Sequence, residues 1–432
     1  MATNQLDESK RRTVFRVVSG NFLEMFDFMV YGFYASAIAK AIFPSNNEFV
    51  SLILSLATFG VGFLMRPLGA LVLGSYIDRN GRRAGLILSL ALMSAGVLMI
   101  AFVPSYQSIG IAAPIIVVFG RLLQGFSAGA ESGGVSVYLA EIAPPGKTGF
   151  YVSWQSASQQ VAVVFAAVLG VALGAMLTPA QMTSWGWRIP FMIGCLIIPV
   201  LFALRSSLQE TEVFKAQKHR PSGRDILRSL GKNWKIVFGA VMLVTLTSVM
   251  FYLITAYTPT YAKNVLKLKS IDSFIVTVCV GLSNFVWVPI MGALSDKVGR
   301  RPVLTVFSFI ILATAYPAMA WLVTDPTFAH LLIVELWFSF LYGSYQGALV
   351  VSLVELMPAS VRGTGFSLAY SLAQAIFGGF TPAICTYLIH TTGNNAMPGV
   401  WLSIAAAIAL IATFIMFPSQ GKAGRLVPSA TT

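Results

Sequence analysis

The sequence predicts an all-α polytopic membrane protein, twelve transmembrane helices in two six-helix pseudo-symmetric halves. Three observations carry that expectation. The 432 residues are 56% hydrophobic and only 10% charged, with a mean hydropathy of +0.76, so most of the surface must face lipid. Apolar stretches of membrane length recur along the chain. Finally, the string Gly-x-x-x-Asp-x-x-Gly-Arg-Arg occurs twice, from Gly74 to Arg83 and from Gly292 to Arg301. Asp78 and Asp296 lie 218 positions apart (296 less 78), about half the chain, so the repeating unit is half the protein. Internal halves built from spanning helices are the architecture of many solute carriers.

A helix needs roughly 20 apolar residues to cross about 30 Å of hydrocarbon. That rule places segments near 14–43, 49–76, 84–103, 109–141, 150–178, 187–207, 234–262, 270–295, 302–323, 329–356, 364–391 and 397–417. The long polar stretch between the sixth and seventh segments divides the chain. The expected organisation is a cytoplasmic N-terminus 1–13, a bundle 14–208, a cytoplasmic linker 209–233, a second bundle 234–417 and a cytoplasmic tail 418–432. A second repeat supports the same cut: Glu141-x-x-Pro144 with Gly149-Phe150 after the fourth segment, and Glu355-x-x-Pro358 with Gly365-Phe366 after the tenth.

Orientation follows from the cations. Lys10, Arg11, Arg12, Arg16, Arg79, Arg82, Arg83, Lys147, the run from Arg205 to Lys235, Lys297, Arg300, Arg301, Arg362, Lys422 and Arg425 all fall on one side, while the opposite loops hold little beyond Lys263, Lys267 and Lys269. Lys and Arg accumulate in cytoplasmic loops, so both termini are expected in the cytoplasm. The net charge of +13 is scattered through short loops, which argues against a nucleic-acid surface. The polar first twelve residues run directly into an apolar helix without a cleavage site, so the N-terminus is expected to be retained. Cys195, Cys279 and Cys385 sit in three different segments without CxxC spacing and read as small apolar residues. No HExxH, nucleophile elbow or phosphate-cradling loop is present, so neither an enzyme nor a metal or other cofactor is expected.

The repeated loops suggest a conformational latch. Gly81 and Gly299 suit a tight turn, Asp78 and Asp296 can accept hydrogen bonds from a helix N-terminus, and Arg82, Arg83, Arg300 and Arg301 can pair with carboxylates such as Glu141 and Glu355. Topology-setting charge alone is the simpler alternative, although it demands neither the aspartate nor the glycine.

Ionisable groups at membrane depth are costly and are functional candidates by default. The first segment offers Glu24 and Asp27, sharing one face with Asn21, Tyr31 and Tyr34 at intervals of three or four. Arg66 precedes Asp78 by 12 residues, roughly 18 Å, and so falls near mid-membrane. Arg121 comes out at a depth comparable with Asp27. A desolvated arginine attracts a carboxylate substrate bidentately, and a nearby acid's affinity for protons then depends on whether substrate occupies the arginine. The competing interpretation is a static ion-pair network, a poor use of four buried charges because such pairs add little net stability. Neutral candidates are Gln155, Ser156 and Gln159 on the fifth segment with Gln160 adjacent, and Tyr138, Tyr252, Tyr257, Asn284, Tyr345, Gln346 and Gln374 elsewhere; for any one of these, helix-to-helix bonding is an equal alternative. Glu131, Glu335, Lys40 and His390 receive no role, the last three lying towards helix ends.

The doubled loop, Arg121-Leu-Leu-Gln-Gly with Glu141-x-x-Pro144, and Trp185-Gly-Trp187-Arg188-Ile-Pro190-Phe191 resemble the major facilitator superfamily. Gly20-Asn21-Phe22-Leu23-Glu24-Met25-Phe26-Asp27-Phe28 and Phe63-Leu64-Met65-Arg66-Pro67-Leu68-Gly69 resemble its metabolite:proton symporter branch. The run Gly149 to Gln160 and Tyr257-Thr258-Pro259-Thr260-Tyr261 are similar to citrate and tricarballylate symporters. Coverage extends from about Val14 to Phe417.

The resemblance implies a carrier that imports a tricarboxylate with protons by alternating access. Asp27 and Arg121 would take the coupling roles of a first-helix Asp and a fourth-helix Arg, and Glu24 would be the extra acid of the branch. It further implies a bacterial inner-membrane protein working as a monomer. Citrate against tricarballylate, and protons against sodium, stay open at this point. A carrier of another organic acid or osmolyte is the alternative, and a non-transporting nutrient sensor a remoter one. Moving one anionic charge inward costs roughly 2.3 kcal/mol per 100 mV against an inside-negative potential, which favours cation-coupled entry.

Overall fold

The computed structural model describes residues 22–80, 82–129, 131–206, 228, 231–357 and 362–417. Asn21 lies outside them, as do the side chains of Asp78, Arg82, Arg83 and Glu131. Among the described residues all regular structure is helical. Eight helices are long and apolar enough to cross a membrane, two bent pairs pass the same test together, and two shorter apolar helices, Ile87–Phe102 and Ala112–Ala128, complete twelve crossings. The spans follow the expected segments closely. The first is Phe22–Phe33 with Ala35–Ile42, the second Glu48–Leu64 with Arg66–Asn80, the third Arg82–Phe102 and the fourth Ala112–Ala128 with Glu131–Ile142. Thr148–Met176 and Arg188–Ser206 are the fifth and sixth. Trp234–Asn264, Ser270–Val298, Arg300–Thr324, Phe328–Leu356, Arg362–Thr392 and Met397–Met416 are the seventh to twelfth.

Local chemistry sets several boundaries. Asn47 caps the second span by accepting the Phe49 amide at 2.9 Å, and Thr327 caps the tenth by accepting that of His330 at 3.2 Å, each satisfying an amide with no intrahelical partner. Gly299, in the second copy of the loop string, has φ 89°, a conformation that only glycine adopts without strain. It ends the eighth span and turns the chain into the ninth. The second span breaks at Met65, and Pro67 stands in the first turn of its second half, where its missing N–H costs nothing. Among the described residues π-helical turns lie at Met182–Gly186, just before Arg188–Ser206, at Leu253–Tyr257 in the seventh span and at Gln374–Gly378 in the eleventh.

The packing pattern repeats after a shift of six spans. The third lies on the fourth and sixth, and the ninth on the tenth and twelfth; the second lies on the fourth, and the eighth on the tenth. The second also packs against the eleventh, and the fifth against the eighth. Large apolar side chains cover the outside, among them Phe102, Ile115, Leu196 and Phe309, a surface suited to lipid and not to water. The seventh span is the most enclosed of the eight long ones, with 83% of its apolar window buried.

Glycines bring the second and fourth spans to backbone contact. A Cβ on Gly125 would sit 1.5 Å from the Gly62 carbonyl oxygen, and one on Gly129 would sit 2.0 Å from that of Arg66. This approach, characteristic of small residues in membrane helices, places Arg66 and Arg121 in one neighbourhood. Gly125→Val is therefore expected to destabilise the purified protein by about 1–3 kcal/mol or more and to shift its thermal unfolding midpoint down, whereas Gly174→Val, in open space, leaves the midpoint in place.

Candidate functional site

Every residue from Leu23 to Phe33 is buried, so the first span's polar face looks into the protein whichever way it points. Two ion pairs form there. Arg121 Nη1 stands 3.5 Å from Asp27 Oδ2, and Arg66 Nη2 stands 3.1 Å from Glu24 Oε1. Exposure is 0% for Arg121, 2% for Asp27, 3% for Arg66 and 8% for Glu24. Arg121 also donates to Gln124 Oε1 at 2.8 Å and to the Phe59 carbonyl at 3.4 Å. Arg66 Nη1 donates to Gln374 Oε1 of the eleventh span, a bond that joins the N-terminal and C-terminal spans.

The Phe28 ring connects the two pairs, with Arg66 Cζ 4.6 Å and Arg121 Cζ 4.2 Å from its centroid. Phe63 and Tyr31 add further ring faces at 4.4 Å and 4.7 Å. Out of water each such contact contributes about 2 kcal/mol, which offsets part of the mutual repulsion of two buried cations. Tyr252 of the seventh span closes over this group, 5.1 Å from the Phe63 ring and 5.8 Å from that of Phe59. Arg66 Nε, Arg121 Nε, Gln124 Nε2 and the Tyr252 hydroxyl have no hydrogen-bond partner. The cluster is therefore rich in unspent donors, which an anion bearing several oxygens would satisfy.

A neutral network continues from there. Gln346 Nε2 donates to Ser156 Oγ at 2.8 Å, Ser156 donates to Gln155 Oε1 at 2.9 Å, and Thr247 donates to Gln346 Oε1 at 2.5 Å. Asn284 donates to Gln160 Oε1 at 3.2 Å and accepts from Ser339 at 2.7 Å. The fifth span thereby bonds to the eighth and tenth through buried amides.

At the ends of the fifth and eighth spans, Asp296 accepts the backbone N–H groups of Gly149 at 2.8 Å and Phe150 at 3.0 Å. Arg300 pairs with Asp296 at 2.9 Å and grips Glu355 bidentately at 2.9 and 3.3 Å. A carboxylate on a helix N-terminus, itself held by an arginine, satisfies orphan amides and complements the helix dipole.

The structure thus brings together Glu24, Asp27, Tyr31, Arg66 and Arg121 in one cluster, and Gln155, Ser156, Asn284 and Gln346 in the adjoining network. Other candidates stand apart. Tyr345 is buried but its hydroxyl is committed to the Leu243 carbonyl at 2.8 Å, and Tyr257 accepts from Thr386 at 3.0 Å. Gln159 and Tyr138 are half-buried and enter neither network among the described residues, and on the fifth span it is Gln160 that bonds Asn284. Arg301 lies 6.0 Å over the Phe414 ring, and Glu141 is exposed without an ion pair to a described residue. Sequence reasoning missed Gln124, Thr247 and Phe28. The first was signalled by its three-residue spacing from Arg121; an apolar ring such as Phe28 carried no signal. Glu335, placed towards a helix end by the sequence, is buried because the seventh span packs over it: Thr258 donates to its Oε1 at 2.8 Å. Lys40 pairs with Glu48 at 3.3 Å, and His390 stacks on Phe49 at 3.8 Å.

The model of the Major Facilitator Superfamily matches residues 17–382. The citrate-proton symporter of Salmonella typhi is 57% identical over 404 residues, covering 94% of this chain and 93% of that one. The citrate-proton symporter of Klebsiella pneumoniae is 55% identical, with 94% and 91% covered. A solved D-xylose-proton symporter superposes with a TM-score of 0.74 at 17% identity, covering 94% of this chain and 97% of that one, a likeness of fold alone.

Glu24→Gln leaves Arg66 as a buried cation without its carboxylate, a change expected to destabilise by about 3–5 kcal/mol. The double variant Glu24→Gln, Arg66→Met is expected to regain part of that loss. Strict additivity of the two single changes in thermal melts would show that the pair is not coupled.

Proposed function

Because this chain belongs to the major facilitator superfamily, we propose that it imports a tricarboxylate, citrate first and tricarballylate second, in symport with protons. The observation that carries this reading is the donor-rich cluster of Arg66 and Arg121 sealed between the first, second and fourth spans. The similarity to two citrate-proton symporters above half identity supports the substrate class. Two permanently charged side chains without exposure disfavour a cationic substrate, because desolvated like charges repel strongly.

The mechanism proceeds from the ion pairs. An incoming carboxylate competes with Asp27 and Glu24 for the guanidinium groups, offering bidentate acceptors to donors that lack partners. Each displaced acid then loses its counter-cation while still buried, and protonation removes the cost of that unpaired charge. Proton and substrate therefore load together. Release reverses the order: once the anion leaves, the arginines reclaim their carboxylates and the protons depart. Entry of as many protons as the anion carries charges cancels the opposition of the membrane potential.

Gln155, Ser156, Asn284 and Gln346 would hold the remaining carboxylates or a hydroxyl, and their bonds would shift as the two bundles, 14–208 and 234–417, rock about the site. In this reading Asp78, Arg82, Arg83 and Glu141 form one cytoplasmic latch and Asp296, Arg300 and Glu355 the other. The second is supported by the grip of Asp296 on Gly149 and Phe150. The protein would reside as a monomer in a bacterial inner membrane with both termini cytoplasmic, an orientation supported by the Lys and Arg distribution.

In proteoliposomes, an imposed pH gradient is expected to drive citrate accumulation and a sodium gradient to drive none; sodium-driven uptake would reassign the coupling ion. Arg121→Ala is expected to abolish uptake. Asp27→Asn is expected to abolish accumulation while sparing citrate counterflow, and full accumulation by this variant would refute the coupling role. Asp296→Ala is expected to slow uptake without changing the proton-to-citrate ratio.

A further inference from the structure

Glu335 is a buried acid that the cycle above does not use. Its Oε1 accepts the Thr258 hydroxyl hydrogen at 2.8 Å, while its Oε2 is buried with no hydrogen-bond partner. Among the described residues no lysine, arginine or histidine pairs with it. The titratable group that faces it from the seventh span is Tyr261, whose hydroxyl is committed to the Asn395 carbonyl at 2.8 Å. Cys385 of the eleventh span faces Tyr261 and Tyr257, and no charged group of the eighth or ninth span approaches the carboxyl. An ionised carboxylate with one donor and no cation is untenable in such a place.

The position of Glu335 ties it to a closure. Thr258 begins the last helical segment of the seventh span, Thr258–Asn264, directly after the π turn. Six residues further on, about 9 Å away, Asn264 donates to Ser36 of the first span at 2.9 Å. Phe274, at the start of the eighth span, packs against Phe33 and Tyr34 at 5.6 and 5.9 Å. On the proposed orientation this is the outer end of the protein, and the Thr258 bond anchors the segment that seals it.

We propose that Glu335 is a further proton-binding site, in the C-terminal spans, whose protonated form holds the outer end closed. The inference rests on the proton-coupled reading above. The proton sits on Oε2, leaving Oε1 to accept from Thr258. When the seventh-span segment swings away, water reaches the carboxyl, the proton leaves to solvent, and the carboxylate that remains is hydrated. Reclosure requires a proton to be taken up again, so closing the outer end draws one proton from the outer solution.

The test combines infrared spectroscopy of the purified protein with transport. The native protein is expected to show a protonated-carboxyl band at neutral pH that is absent from Glu335→Gln; should that variant fail to insert, Glu335→Asp, which moves the band without removing it, makes the assignment. In proteoliposomes, citrate exchange by the native protein is expected to slow as the outer pH is raised and Glu335→Gln to lose most of that slowing, with the limiting accumulation ratio unchanged because the proton returns to the side it came from. Absence of the band from the native protein overturns the proposal, as does a Glu335→Gln exchange rate that keeps the native dependence on outer pH. If the native protein moves no citrate, the transport reading fails, and the band alone decides the state of Glu335.

Discussion

Two guanidinium groups held out of water beside one phenylalanine ring are the constraint on which the rest of the structure depends. Each cation demands a carboxylate, and the first span supplies both, Glu24 and Asp27, three residues apart on one face. Their depth demands that the second and fourth spans approach closely, which Gly62, Gly125 and Gly129 permit. Their mutual repulsion demands a polarisable neighbour, which Phe28 provides. The pairs therefore cannot rearrange independently: moving one guanidinium off the shared ring changes the field at the other.

Contacts between the N-terminal and C-terminal spans occur at both ends of the bundle. Asp296 with Gly149 and Phe150 forms one set; Asn264 with Ser36, and Phe274 with Phe33, form the other. Between them lie the ion pairs and the amide network, enclosed on every side. The two seals are built from different chemistry. One is charge on a helix N-terminus; the other is the Asn264–Ser36 side-chain hydrogen bond beside aromatic packing, which is weaker and simpler to open.

Much of this was legible in the sequence. The span positions follow from apolar length alone; counting residues inward along two helices gave Asp27 and Arg121 a comparable depth, and the family resemblance implied that they pair. The Asp296, Arg300 and Glu355 contacts were readable because a repeated loop with aspartate, glycine and arginine has few other uses. What was not legible depended on partners far away in the chain. Gln374 reaches Arg66 across 308 positions, and Asn284 reaches Gln160 across 124. Helix periodicity could not choose between Gln159 and Gln160, since adjacent residues differ by only part of a turn. Nor could it see that Tyr345 spends its hydroxyl on the Leu243 carbonyl. Glu335 was passed over for a related reason: its place towards a helix end said nothing of the seventh span folded over it.

The π turn at Gln374–Gly378 gives that distant contact an unusual leverage. Gln374 opens the turn and also bonds Arg66, so the contact to the arginine and the widened turn share one residue. A widened turn has slack in its ladder and tightens or loosens with small effort. Taking Arg66 away from Gln374 would therefore free the first residue of that turn, where the helical ladder is already widened.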